Sequence, residues 1–339
     1  MADILSLNHH DNIMQLHHAL RTGWCGLLLS VTLVLFLYCF LSYVWSTRML
    51  RFLLVMYGYL NERDQSLGSN SLQNERRLEY LNNKKGFGKT FGGSNKARLA
   101  SMQKVVSLRS SWHYSWGPYA PRNLEPQSIQ FLPMIWGYWD YDDFVESIEI
   151  AKEQNPSLLL AFNEPDREDQ ANLTVDQAVR VWHDFEAAQI PLVSPSCYLP
   201  LGPWMQDFME QVDQKGLRVD VIGVHSYGGI SVRAFKKLML RVYEKYQRPI
   251  LVTEFAVADW DAETVQQNRY TAEQVLAFMQ EVLPWMESQD WILGYAWFSF
   301  SIRSPAGTSS ALFDRNGNLT VCGRYYADFG ASKGEVLNV

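Results

Sequence analysis

Cysteine is scarce in this chain, with four among 339 residues, no Cys-x-x-Cys pair and no clustered Cys/His set. That excludes a disulfide scaffold and gives no zinc site. Cys25 and Cys39 fall in an apolar segment, while Cys197 and Cys322 read as small buried thiols, a disulfide between them being the lesser alternative. No glycine-rich dinucleotide or phosphate-loop motif is present, so no cofactor is expected and a doubly wound nucleotide fold loses its main support. Positive charge does not accumulate either: the formal net charge is -6 and no run of like charges occurs. A chain without a basic field has no means of neutralising phosphates, which excludes nucleic acid as a partner.

Charge is missing altogether from Thr22 to Thr47, a stretch of 26 residues. About 20 apolar residues cross a bilayer as a helix, so a single transmembrane anchor is expected over residues 22–47. Trp24, Tyr43 and Trp45 sit at its ends as interfacial aromatics do. The stretch is too long for a signal peptide and no small-residue cleavage pattern follows it, which favours an uncleaved anchor. Residues 1–21 form a polar tail in which His9, His10, His17 and His18 read as solvated, and no metal site is expected anywhere. Residues 48–83 form a juxtamembrane linker, within which Met49 to Leu60 is too short to span. Arg48, Arg51 and Arg63 after the anchor argue for a cytoplasmic domain, whereas the Asn-x-Thr sequons at Asn172 and Asn318 argue for the opposite side. Large domains translocate largely regardless of charge, and the expectation is an extracytoplasmic domain.

What the chain has in abundance is apolar and aromatic residues, 47% and 14%, enough for one large core. From residue 84 to 330, short β-like runs alternate with amphipathic ones, and residues 331–339 form a tail. Strands are expected near Phe87–Phe91, Ser111–Trp116, Phe131–Trp136, Leu158–Asn163, Leu192–Ser196, Val219–Tyr227, Ile250–Phe255 and Ile292–Phe300. Helices are expected over Asn95–Leu108, Tyr141–Glu153, Val175–Ala188, Trp204–Lys215, Val232–Tyr246 and Ala272–Ser288, the third opened by a Thr174/Gln177 capping box. Eight strands alternating with helices over roughly 250 residues predict an α/β fold, a (β/α)8 TIM barrel.

The carboxyl ends of barrel strands form the catalytic face. The fourth strand reads Leu158-Leu-Leu-Ala-Phe-Asn-Glu-Pro, an apolar run that stops at Asn163 and Glu164, with Pro165 unable to continue a central sheet. The sixth ends in His225-Ser226-Tyr227, the seventh in Thr253-Glu254-Phe255, and the eighth carries Trp297-Phe298. Two glutamates at equivalent strand ends fit a retaining glycosidase, in which one carboxyl attacks the anomeric carbon and the other protonates the leaving oxygen. When one of two neighbouring carboxyls is ionised, the other holds its proton more tightly, which keeps a general acid protonated. Glu164 is expected as acid/base, Glu254 as nucleophile, and Asn163 as partner of the sugar 2-hydroxyl. Trp136, Tyr227 and Trp297 lie at the catalytic ends as candidate sugar-stacking platforms, followed by Trp112, Tyr114 and Trp116, each weighed against a core role. His225 either orients a carboxylate or substrate hydroxyl or is satisfied by backbone, and Asp166 reads as a loop or capping residue.

Leu132-Pro-Met-Ile-Trp-Gly137, Phe162-Asn-Glu-Pro-Asp166, Thr253-Glu-Phe-Ala256, Tyr295-Ala-Trp-Phe298, Ser310-Ala-Leu-Phe-Asp314 and Gly317-Asn-Leu-Thr320 resemble, in order and spacing, the alkali-sensitive-linkage-like β-1,3-glucanases of glycoside hydrolase family 128. The resemblance runs from about Lys84 to about Phe329 and implies a retaining barrel enzyme acting on β-1,3-glucan, with Glu164 and Glu254 at the family's acid/base and nucleophile positions. Departures occur at Ser226, where the family usually has tryptophan, and at Ser115, where asparagine is common. They touch sugar subsites rather than the chemistry. The alternative is a barrel that has lost activity and serves as a membrane-tethered glucan-binding or wall-attachment protein; transfer to a sugar hydroxyl instead of water is a variant of the first reading.

Overall fold

The computed structural model describes residues 80–121 and 128–330. The expected tail, the 22–47 anchor, the linker up to residue 79 and the tail 331–339 lie outside them. Among the described residues no helix is long and apolar enough to cross a membrane.

Among the described residues are eight strands, separated by helices except between the second and third: β1 (Lys85–Gly88), β2 (Trp112–Tyr114), β3 (Gln130–Phe131), β4 (Leu159–Leu160), β5 (Leu192–Val193), β6 (Ile222–Gly228), β7 (Ile250–Val257) and β8 (Ile292–Trp297). Six of them pair in the order β3-β2-β1-β8-β7-β6, and β4 pairs with β5. All these pairings are parallel. Single parallel bridges, Met134 to Leu160 and Val193 to Val221, join the β4–β5 pair to its neighbours on either side, giving a barrel-like α/β core. The third strand is shorter than expected because Pro133 has no N–H to give the ladder; its carbonyl instead accepts from Leu160 N at 2.9 Å.

The helices are α1 (Asn95–Ser107), α2 (Tyr141–Glu153), α3 (Val175–Arg180), α4 (Trp182–Ala187), α5 (Pro203–Lys215), α6 (Val232–Tyr246), α7 (Ala272–Glu287) and α8 (Val321–Asp328). Their starts follow local chemistry. Ser94, Asp140, Ser231 and Thr320 accept from first-turn N–H groups, Thr174/Gln177 and Thr271/Gln274 form reciprocal capping boxes, and Pro203 occupies the first turn of α5. The single helix expected over residues 175–188 is two, broken at Val181 (φ -93°, ψ 4°). There the fully buried Trp182 turns its indole N–H to Arg218 O at 2.9 Å and packs on Phe185 and Phe208. Two lysines at the start of β1, Lys84 just before it and Lys85 its first residue, cap helix ends elsewhere in the chain. Lys84 Nζ donates to the Met286, Glu287 and Gln289 carbonyls at the C-terminal end of α7, and Lys85 Nζ to the Tyr326, Ala327 and Phe329 carbonyls at that of α8.

Strand alternation sorts the apolar residues into two cores. Trp112, Tyr114, Leu132, Met134, Leu158, Leu160, Val193 and Leu251 fill the interior of the ring. The residues between them, such as Leu159, Leu192, Val224 and Val252, meet the helices in the larger outer cluster. Gly86 makes room for the interior layer: a Cβ there would lie 2.0 Å from Cε2 of Trp112 and 2.3 Å from Cδ2. Gly86→Ala must therefore displace an indole packed on all sides, and thermal unfolding should show a loss of roughly 1–3 kcal/mol, with ~2–4 °C of Tm for each kcal/mol. An unchanged Tm would contradict this packing.

Candidate active site

At the end of β4 the backbone takes a costly turn. Asn163 still bridges Ser196, and Glu164 N donates to Ser196 O at 2.9 Å, but Glu164 itself sits at φ +42°. A non-glycine residue in the left-handed region is strained, and such strain persists where the surroundings enforce it. The loop beyond supplies the enforcement: Ala171 N returns to Asn163 O, Leu173 N to Pro165 O, and the Asp166 carboxylate accepts from Tyr198 N and Leu199 N. Asp166 is thus a loop-capping residue, as its position after the proline suggests.

On β7 a bulge aims the second glutamate. Val224 and His225 of β6 lie opposite Val252 and Glu254, and Val252 and Phe255 lie opposite Tyr295 and Trp297 of β8. Each neighbour thus faces one extra residue of β7. That residue is absorbed around Thr253, whose hydroxyl approaches Ser196 Oγ at 3.1 Å and Val224 O at 3.4 Å. Before the bulge Val252 faces the helices; after it Phe255 does. The extra residue reverses the strand's parity and turns Glu254 into the mouth.

The two carboxylates meet there around His225. One oxygen of Glu164, one of Glu254 and a His225 ring nitrogen all lie within 4.8 Å of one another, and the three residues are buried. His225 Nδ1 is 2.8 Å from Glu164 Oε1; Nε2, 3.5 Å from Glu254 Oε1, has no hydrogen-bond partner. Glu254 accepts from three donors: the Trp116 indole N–H at 2.7 Å, the Tyr114 hydroxyl at 3.3 Å and the Tyr227 hydroxyl. Burial, followed by the Glu254 charge, pushes both phenols well above their usual range, so they stay protonated as donors. Glu164 has a different surrounding. Arg167 stands 3.7 Å away, but its guanidinium is already held by Asp169 at 2.8 and 2.9 Å and lies over the Tyr198 ring. The Glu164–His225–Glu254 set is also the one group of described residues placed to ligate a metal ion.

Burial lowers the His225 pKa, but the Glu254 charge, then the Glu164 hydrogen bond and charge, outweigh it, and the net shift is upward from 6.5. A group whose folded pKa is raised stabilises the fold fully below its unfolded value and loses that contribution as pH rises through the folded one. Comparing Tm of the wild type with that of His225→Asn between about pH 5.5 and 8.5 should show the largest gap at the acid end, closing towards the alkaline end. A gap that widens with pH would contradict an imidazolium held beside the Glu254 carboxylate.

A cavity of about 580 Å³ opens over this cluster, lined by Trp116, Trp136, Asn163, Tyr227, Trp260 and Phe298 with the two glutamates. Asn163 Nδ2 donates to Gln170 Oε1 at 3.1 Å, while its Oδ1 is buried without a partner, an acceptor available to a ligand hydroxyl. Trp136 stacks on the exposed Trp139, centroids 5.4 Å apart and planes 14° from parallel. Of the residues expected here, Glu164, Glu254, Asn163, His225, Trp136, Tyr227, Tyr114 and Trp116 come together, Tyr114 and Trp116 as donors to Glu254. Trp112 and Trp297 do not reach the cavity. Both are fully buried, with their indole N–H groups on Lys84 O and Ser310 O, so neither presents a face to a sugar. That corrects their expected stacking role: Trp112 fills the interior layer, and Trp297 points out towards the helices. Phe298, one residue on, is the inward side chain, as alternation from the inward Ala296 would have indicated. Arg167, Asp169, Gln170, Tyr198, Trp260 and Phe300 line the cavity from loops, where no periodicity marks them.

Residues 90–326 match the model of a protein family described as glycosyl hydrolase catalytic core. No curated protein matches the sequence. Among solved structures, a family 128 (subgroup I) endo-β-1,3-glucanase from Amycolatopsis mediterranei, in complex with laminaritriose and laminaribiose, is 28% identical with a TM-score of 0.62, covering 73% of this chain and 99% of that one. A subgroup III curdlan-specific exo-β-1,3-glucanase from Blastomyces gilchristii, in complex with glucose, is 26% identical with a TM-score of 0.55, covering 71% and 97%. A subgroup II endo-β-1,3-glucanase from Sorangium cellulosum, 24% identical with a TM-score of 0.58 and covering 72% and 98%, shares the fold.

Proposed function

The chain belongs to the glycosyl hydrolase catalytic-core family and groups with glycoside hydrolase family 128, and from that premise we propose that it cleaves β-1,3-glucan with retention of configuration, Glu254 acting as nucleophile and Glu164 as acid/base. The observation that carries the reading is the approach of the two carboxylates, one oxygen of each within 4.8 Å of one of the other, beside an open cavity that both line. Retaining enzymes hold their carboxyls about 5–5.5 Å apart, whereas inverting ones leave about 6.5–9.5 Å for a water.

The hydrogen bonds support the division of labour. Glu254 faces three donors, one of them an indole that cannot accept, an arrangement suited to an ionised carboxylate. In the first step a Glu254 oxygen bonds to the anomeric carbon while Glu164 gives its proton to the glycosidic oxygen, whose bond to that carbon breaks. In the second, Glu164 takes a proton from water as the water oxygen displaces Glu254. Tyr114, Trp116 and Tyr227 hold the departing carboxylate, and the unpartnered Asn163 Oδ1 receives the sugar 2-hydroxyl. The stacked Trp136–Trp139 pair and the exposed Trp260 offer flat faces to further glucose rings.

Time-resolved NMR of laminarin hydrolysis tests this: the first product anomer should be β. An α-anomer appearing first would require inversion and overturn the assignment, and laminarin binding without turnover would favour the inactive-barrel alternative. The proposal also carries residues 22–47 as a membrane anchor, with the domain extracytoplasmic. The 26 uncharged residues support the anchor, and the exposure of Asn172 and Asn318 makes both sequons accessible to glycosylation. A mass shift removed by an N-glycan amidase in the host membrane fraction is the expected result, and its absence would argue for the cytoplasmic side.

A further inference from the structure

A second cavity, of about 560 Å³, lies on the same face of the barrel between the ends of β1 and β8. It shares a wall with the first: Trp116, Phe298 and Phe300 line both. Since the Trp116 indole donates to Glu254, the second cavity begins one ring away from the nucleophile. Its chemistry differs from that of the first. Lys89, Lys104, Arg303 and Arg315 all line it, with Asp314 the one acid, in a chain whose net charge is -6.

Among the described residues none of the four cations is neutralised by a carboxylate, since none lies within ion-pair distance of any of them. Asp314 is occupied by its own turn, accepting from Asn316 N, Asn318 N and Asn318 Nδ2. Lys89 and Lys104 are half-buried; Lys104 rests on the Phe313 ring at 4.9 Å, and burial and the Lys104 charge together push Lys89 down from its usual range. Two partly desolvated ammonium groups that repel each other gain most from an anion placed between them.

We propose that this cavity is a subsite for an oxyanion borne by the glucan, so that the enzyme acts preferentially on chains carrying a carboxylate or sulfate substituent next to the scissile linkage. The inference rests on the glucanase reading, and the test separates the two. The probe is carboxymethyl-laminarin of low substitution, compared with laminarin by kcat/KM. In the wild type the carboxymethylated chain should be favoured by about tenfold at low salt, the preference shrinking as sodium chloride is raised from about 20 to 200 mM. Lys89→Gln and, on the exposed turn, Arg315→Gln should each lower the preference severalfold while leaving kcat/KM on laminarin unchanged. Equal turnover of both chains, or a preference that survives both substitutions, overturns the subsite and leaves the glucanase standing. Inorganic sulfate that stimulates laminarin hydrolysis more than chloride does, in place of a substrate preference, assigns the cavity to a free anion and also overturns it. If laminarin is not turned over, tryptophan-fluorescence titration with carboxymethyl-laminarin decides: affinity lost in Lys89→Gln supports the subsite, and affinity equal in both proteins refutes it.

Discussion

Replacing Glu254 with glutamine should lower kcat on laminarin by about 10⁴-fold or more, since no other carboxylate can attack the anomeric carbon. The loss should fall on kcat, with KM little changed, because the covalent bond forms only at the transition state and the sugar platforms remain. Folding should survive. The glutamine carbonyl still accepts from the Trp116 indole, and the Tyr227 hydroxyl, a donor or an acceptor, can turn to meet the amide. Glu254→Ala adds a more discriminating result. With the carboxylate gone, azide can enter from the vacated side, and the expected product is an α-glycosyl azide. A residual rate within tenfold of the wild type, or a β-azide, would remove Glu254 from the nucleophile's role.

The second large effect is at Glu164. Glu164→Gln should lower kcat on laminarin by about 10²–10⁴-fold, the span associated with a general acid, because the departing sugar alkoxide then leaves unprotonated. An aryl glucoside whose phenolate leaves without help should recover most of the lost first-step rate, which Glu254→Gln cannot do. Azide added to Glu164→Ala should give a β-glycosyl azide, since the intermediate on Glu254 still forms. The left-handed backbone at Glu164 adds a further expectation. Glu164→Gly relieves the φ strain and should unfold at a temperature no lower than Glu164→Ala, against the usual entropic penalty of glycine. These outcomes separate the roles of two carboxylates that a simple loss of activity would not distinguish.

Much of the architecture was written locally. The capping box at Thr174 and the apolar runs of β1 to β8 are short-range effects, and the strands and helices expected from them are found within a few residues. The break at Val181 was not legible, because it depends on where the Trp182 indole finds Arg218 O, 36 residues further on. The same holds for the aromatic residues. Trp112, Trp297 and Phe298 look alike as aromatics at strand ends, and which of them faces a cavity depends on strand parity counted from the correct inward residue.

The sequence by itself determined that a chain with eight apolar runs would form a parallel α/β core, and that a glutamate would stand just beyond the fourth, because burial and the missing N–H of Pro165 fix where that strand stops; the second glutamate, expected at the end of the seventh, lies three residues inside it. Tertiary structure alone decided that those glutamates face each other. In uninterrupted alternation Glu254 would share the outward face of Ile250 and Val252, and Glu164 would need no positive φ. One extra residue in β7, accommodated only when β6 and β8 pair on both sides of it, and a loop tied back through Asp166 bring the carboxylates together. Register between strands is a non-local quantity, set by hydrogen bonds to residues tens of positions away, and so it cannot be counted along the chain.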